Sequence, residues 1–69
     1  MATVSKEIAD KIMANGGYYS DDPRVMQVVR YDNFEGQPAY AILYAQDVAA
    51  DRYKPSPYVN NPKVIWRAT

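Results

Sequence analysis

The sequence predicts an α+β fold: an N-terminal helix packed on a small antiparallel sheet of three strands, all in one small domain spanning 1–69. Three observations lead there. A helical apolar stripe is confined to the stretch before Gly16 and Gly17, two β-rich runs flank the turn cluster DNFEGQ, and a further β-rich run lies near the C-terminal end.

The helix is read over Ser5 to Asn15. Val4, Ile8 and Ile12 recur at i, i+4 and i+8, with Ala9 and Met13 beside them, while Lys6, Glu7, Asp10 and Lys11 take the other side. Ser5 or Thr3 caps its start, because a hydroxyl accepts from an amide that the first turn leaves unpaired. Asn15, Gly16 and Gly17 end it, since glycine readily adopts the left-handed conformation of a C-terminal cap.

Val25 to Tyr31 follows. Pro23 presets its own φ and drives Asp22 to an extended conformation. Val25, Val28 and Val29 favour a strand. Asp22 followed by Pro23 is also a helix-start signature, so a helix competes here, but three valines without Ala or Leu weigh against it. Asp32 to Gln37 is a turn, with Gly36 suited to positive φ. Pro38 to Ala45 sets large Tyr40, Ile42 and Tyr44 against Ala39, Ala41, Leu43 and Ala45, the alternation of a strand with one close-packed side. These two strands form a hairpin. Gln46 to Tyr53 suits a short helix, Lys54 to Pro57 an irregular stretch, and Lys63 to Arg67 a last strand. The core is expected from Ile8, Ile12, Val28, Ile42, Leu43, Val64 and Trp66, with Trp66 largely buried.

A phrase occurs twice. YSDDPRVM begins at Tyr19 and YVNNPKVI at Tyr58, and the two match in kind at all positions but one. Each reads as a strand entry: Asx residues turn the chain, and proline takes a position where no ladder donor is needed. The remainder of the two halves does not match, so no duplicated domain is inferred.

Composition narrows the function. A chain of 69 residues buries only about 60% of its unfolded surface, and small domains lean on disulfides, metals or self-association. Cysteine and histidine are both absent, which removes disulfides, thiolate zinc sites and the usual general base. Self-association remains, and a homo-oligomer is expected. Eight basic residues balance eight acidic ones, so the field that draws proteins to duplex nucleic acid is lacking. The apolar runs fall far short of the roughly 20 residues of a membrane span, and Met1 to Met13 lacks the apolar core of a signal peptide.

Candidate chemistry is sparse. Asp21 and Asp22, joined by Asp32 or Glu35, offer oxygens to a hard cation, but the spacing matches no calcium loop. NGGYY lacks the further glycine and the lysine of a phosphate loop. No catalytic, metal or cofactor site is assigned. Seven tyrosines against one Phe and one Trp are the unusual feature. Tyrosine suits half-buried contact surfaces, having an apolar body and a polar tip; a small sheet using Tyr along its edges accounts for the same count. Tyr18, Tyr19 and Tyr58, with Arg24 and Lys63 from the twin phrases, form the candidate binding group.

The combination IADKIMANGGYYSDDPRV, VRYDNFEGQPAYAILY and SPYVNNPKVIW resembles a group of short bacteriophage proteins over roughly residues 7–67. The group brings no assigned activity, so no functional residues carry over. The resemblance implies a phage accessory protein in the bacterial host cytoplasm. Such a protein would be non-enzymatic and would bind and inhibit a host or defence-system protein by covering its working surface. A narrower version sequesters a nucleotide signal between Tyr rings and Arg or Lys. The rival is a structural or assembly role, such as a minor virion component.

Overall fold

The apolar stripe of the first helix meets one face of an antiparallel sheet. The computed structural model describes residues 2–50 and 60–69. Its elements, in chain order, are β1 (Ala2–Val4), α1 (Lys6–Ala14), β2 (Gln27–Asp32), β3 (Pro38–Leu43), α2 (Ala45–Ala49) and β4 (Asn60–Arg67). The strands lie in the order β1-β3-β2-β4, every neighbouring pair antiparallel.

The class is α+β, and the sheet holds four described strands rather than three. The additional one is β1, which pairs Ala2, Thr3 and Val4 with Ile42, Ala41 and Tyr40 of β3. Three residues carry no readable alternation, so only the partner strand identifies them. Thr3 therefore belongs to the sheet and is not the helix cap; its hydroxyl lies 3.5 Å from that of Tyr31. Ser5 caps α1, its Oγ accepting from the Ile8 amide at 3.2 Å. Exposed i,i+4 pairs, Lys6–Asp10 at 3.0 Å and Lys11–Glu7 at 3.5 Å, line the outer side of the helix. Such exposed pairs, screened by solvent, contribute little to stability. Accepting that hydrogen bond, the Asp10 carboxylate also raises the Lys6 pKa.

Between the helix and the sheet, Ala9, Ile12, Val25, Val28 and Ile42 are buried together, with Val4, Ile8, Met13, Tyr40, Tyr44 and Trp66 packed around them. Side chains alternate across a strand, so Val29, Ala41 and Leu43 point to the other side, and these too are buried. The central strands β2 and β3 are thus covered on both faces. The small side of β3 foreseen from Ala39 and Ala41 lies here, and α2 packs on the same strand.

The strand competing with a helix after Pro23 is a strand, starting at Gln27 and ending at Asp32. Met26 already joins the sheet edgewise: its amide donates to the Leu43 carbonyl at 2.8 Å, and its carbonyl accepts from the Ala68 amide at 2.9 Å. The hairpin turn is closed by the Gly36 amide donating to the Asn33 carbonyl at 2.8 Å, with Gly36 at φ +79. The Asn33 side-chain oxygen accepts from the amides of Glu35 and Gln37, the Asx chemistry that turns a chain. The short helix sought over Gln46 to Tyr53 is α2, Ala45–Ala49; residues 51–53, the irregular Lys54 to Pro57 stretch and Tyr58 lie outside the described residues. Asp47 is buried, and its carboxylate accepts from the Tyr44 amide at 3.0 Å.

β4 is longer than the expected Lys63 to Arg67 and forms an edge of the sheet. Its pairing with β2 shifts register between Val28 and Val29 and again between Arg30 and Asp32. Pro62 falls at the second shift, where a missing ladder donor costs nothing. The edge position also explains a difference in the core. Trp66 and Val64 are half-buried, whereas both were expected inside. An edge strand has a neighbour on one side only.

The two matching phrases do not fold alike. The first is a loop with Ser20 at φ +55, and Pro23 precedes β2 by several residues; in the second, Asn61 is at φ +53 and Pro62 lies within β4. The first phrase leads into β2 as expected of a strand entry, whereas the second lies largely within β4. Neither proline holds the first strand position expected of it: Pro23 stands ahead of its strand and Pro62 inside one.

Gly17 is where the helix, the loop and β4 come closest. It has φ +99, and a Cβ there would run into the Val25 carbonyl oxygen and lie 3.1 Å from the Trp66 ring. Gly16, at φ +66, has open space around its missing Cβ. Gly16→Ala should therefore cost only the left-handed backbone penalty, about 1–2 kcal/mol. Gly17→Ala should cost about 3 kcal/mol or more, because strain and overlap combine. Urea denaturation of the two variants measures the difference, and equal midpoints would refute the close approach.

Candidate binding face

The segment between α1 and β2 is built by backbone bonds before any side chain acts. The Gly17 amide donates to the Ile12 carbonyl at 2.9 Å and so ends the helix, and the Gly17 carbonyl accepts from the Val25 amide at 2.8 Å. The Asn15 side-chain amide donates to the Tyr18 carbonyl at 2.9 Å. These bonds fold Tyr18 to Arg24 into an outward loop with Val25 anchored beneath it at 1% exposure.

Arg24 ties this loop to the far end of the chain. Its Nε donates to the Gly16 carbonyl at 2.9 Å, and its Nη1 donates to the Thr69 backbone oxygen at 3.2 Å. The guanidinium also lies over the Tyr18 ring, 5.2 Å from the centroid, within cation–π range. The described ion pairs are Lys6–Asp10, Lys11–Glu7 and Arg30–Asp32, so Arg24 pairs with no Asp or Glu among the described residues. Its positive charge is held in place by the Gly16 and Thr69 oxygens.

Of the residues singled out from the sequence, Tyr18 and Arg24 are in contact, and Tyr19 follows on the same loop. Tyr18 is 54% exposed and Tyr19 37%. Lys63 does not join them: it stands opposite Arg30 in the β2–β4 ladder, whereas Arg24 reaches Thr69 beyond the other end of β4. The four residues from Lys63 to Arg67 span roughly 13 Å of strand. Tyr58 falls outside the described residues. The acidic side chains considered for a hard cation are likewise apart, Asp21 and Asp22 in the loop and Asp32 and Glu35 at the hairpin turn. Among the described residues no three His, Cys, Asp or Glu gather as a metal site, and no described helix is long and apolar enough to cross a membrane.

Beside Arg24 opens a cleft of about 600 Å³ lined by Pro23, Arg24, Met26, Tyr44, Ala45 and Gln46. Sequence reading missed it, because its walls come from two distant segments: the loop before β2 and the junction of β3 with α2. No signal in the sequence pointed to it, since Tyr44 fitted the strand alternation of Tyr40 and Ile42. The sequence reading placed Tyr44 in the strand, whereas it sits at the start of α2 and packs at the core margin. No protein-family model, curated protein or solved structure matches the chain.

Lysine in place of Arg24 keeps the charge but cannot donate to two carbonyls in fixed directions. Arg24→Lys should lower stability by about 1–2 kcal/mol and increase the mobility of the Tyr18 ring. Chemical denaturation and NMR order parameters for the 16–24 backbone check both effects; unchanged values would show that the tie carries no weight.

Proposed function

We propose that this chain is a non-enzymatic accessory protein of a bacteriophage that binds a host or defence-system protein and blocks its working surface. One observation carries the reading: two adjacent tyrosines, Tyr18 and Tyr19, are presented to solvent from a loop pinned by Arg24. Interface cores are enriched in Tyr and Arg, and such side chains account for much of the energy at measured hot spots. A loop already ordered before contact loses little entropy on binding. The resemblance of NGGYYSDDPRV and its companion stretches to short phage proteins supports the biological setting.

A protein target suits the face better than a nucleotide. Asp21 and Asp22 lie on the same loop as the tyrosines, and their carboxylates repel phosphate groups. The same carboxylates favour a protein surface carrying Lys or Arg at its rim.

Tyr18→Ser combined with Tyr19→Ser separates binding from folding, because both rings are exposed. Tagged wild-type protein, incubated in infected bacterial lysate, should enrich one host protein that the double variant fails to enrich, with wild type and double variant melting at similar temperatures. Equal enrichment by wild type and double variant would refute this face, and retention of a nucleotide by wild type alone would replace the protein target.

A further inference from the structure

Phe34 is 77% exposed at the tip of the β2–β3 hairpin, the most exposed of the large apolar side chains described. The turn that carries it is held by hydrogen bonds: the Asn33 side chain holds the amides of Glu35 and Gln37, and the Gly36 amide closes the turn on the Asn33 carbonyl. Next to it Glu35 makes no ion pair among the described residues. The tip is thus an aromatic knob with an unpaired carboxylate at its side.

The cleft beside Arg24 is its complement. Its lining of Pro23, Met26, Tyr44 and Ala45 is largely apolar, and it also includes Arg24, which pairs with no Asp or Glu among the described residues. The cleft is open rather than enclosed, and its volume of about 600 Å³ leaves room for an aromatic side chain. Knob and cleft cannot meet within one chain. The tip follows the Asp32–Pro38 end of the hairpin and the cleft adjoins the Gln27–Leu43 end, and six residues of strand separate those ends by roughly 20 Å.

We infer that the protein self-associates head to tail, Phe34 of one copy entering the cleft of the next while Glu35 pairs with Arg24. The partner is a second copy because both halves of the contact, the apolar fit and the opposite charges, stand on this chain. Edge pairing of two β4 strands is the weaker route. About an axis through Ile65 it would set Lys63 against Arg67, and like charges directly opposed destabilise a sheet; Pro62 and the two register shifts blunt that edge further. A head-to-tail contact is heterologous, so its repetition closes a ring or extends a chain. The contact uses neither Tyr18 nor Tyr19 as an anchor and shares only Arg24 with the host-binding reading.

Sedimentation over a range of concentrations tests it. Wild type should associate reversibly, and Phe34→Ala and Glu35→Lys, both on an exposed turn, should each weaken association about tenfold or more. Glu35→Lys combined with Arg24→Glu should recover part of the loss through the reversed pair. A second measurement avoids any question of folding in the Arg24 variant. Methyl-labelled Phe34→Ala protein retains the cleft but lacks the knob, so unlabelled wild type should shift its Met26 methyl signal and unlabelled Phe34→Ala should not. A wild type that stays monomeric, a Phe34→Ala protein that associates as wild type does, or an unmoved Met26 signal would overturn the contact. The Tyr18→Ser, Tyr19→Ser variant keeps knob and cleft, so its loss of host partner with retained association tells the two readings apart.

Discussion

Everything else in the structure depends on the close approach of Gly17 to the Val25 carbonyl. At that point the chain leaves α1, reverses, and delivers Val25 into the core beneath the helix. The backbone bond from the Val25 amide to the Gly17 carbonyl is short because no side chain stands between the two segments. The same space admits the edge of the Trp66 ring, so one missing Cβ joins the helix end, the entry to β2 and the last strand. Any residue but glycine would require left-handed backbone and displaced neighbours at once. In a chain of 69 residues there is little other core to absorb the shift.

Arg24 extends that junction outward. With Gly16 and Thr69 as acceptors and Tyr18 under its plane, it turns a loop that would otherwise sample many conformations into part of the rigid body. Loops that bind are most effective when a scaffold orders them in advance. Here the ordering is internal, made by one cation that satisfies two main-chain oxygens. Stability and surface chemistry therefore share a residue, and both the tyrosine face and the cleft border on it.

The sheet solves the problem of size in a related way. Burying both faces of β2 and β3 places Val28 and Ile42 on one side and Val29, Ala41 and Leu43 on the other. A thin domain thereby draws two layers of packing from a single pair of strands. Alanines at 39 and 41 allow close approach on the second side, while aromatic Tyr40, Tyr44 and Trp66 fill the margins of the first. Half-buried tyrosines at the margin account for part of the tyrosine excess as packing; the exposed pair, Tyr18 and Tyr19, is what packing leaves unexplained.

Local chemistry was readable from the residues alone. The Ile8–Ile12 stripe, the glycine stop and the DNFEGQ turn with Gly36 each depend on neighbours within a few positions and stand where the sequence places them. Of the two cap candidates Ser5 serves, and the β-branched runs are strands whose ends differ from the expected ones. What depended on distant partners was not readable. β1 is a strand because β3 pairs with it, and Pro62 is tolerated because β4 is an edge. Trp66 and Val64 stay half-exposed for the same reason, and the matching phrases diverge because one leads into a central strand and the other lies in the outer one. The candidate face divides likewise: adjacency placed Tyr18, Tyr19 and Arg24 on one loop, while the antiparallel register of β4 carried Lys63 away and brought Thr69 to Arg24. The sequence by itself determined the helix, the turns and the residues able to make contacts. Only the tertiary structure decided which of them meet, because strand order and register are set by long-range pairing that no local pattern encodes.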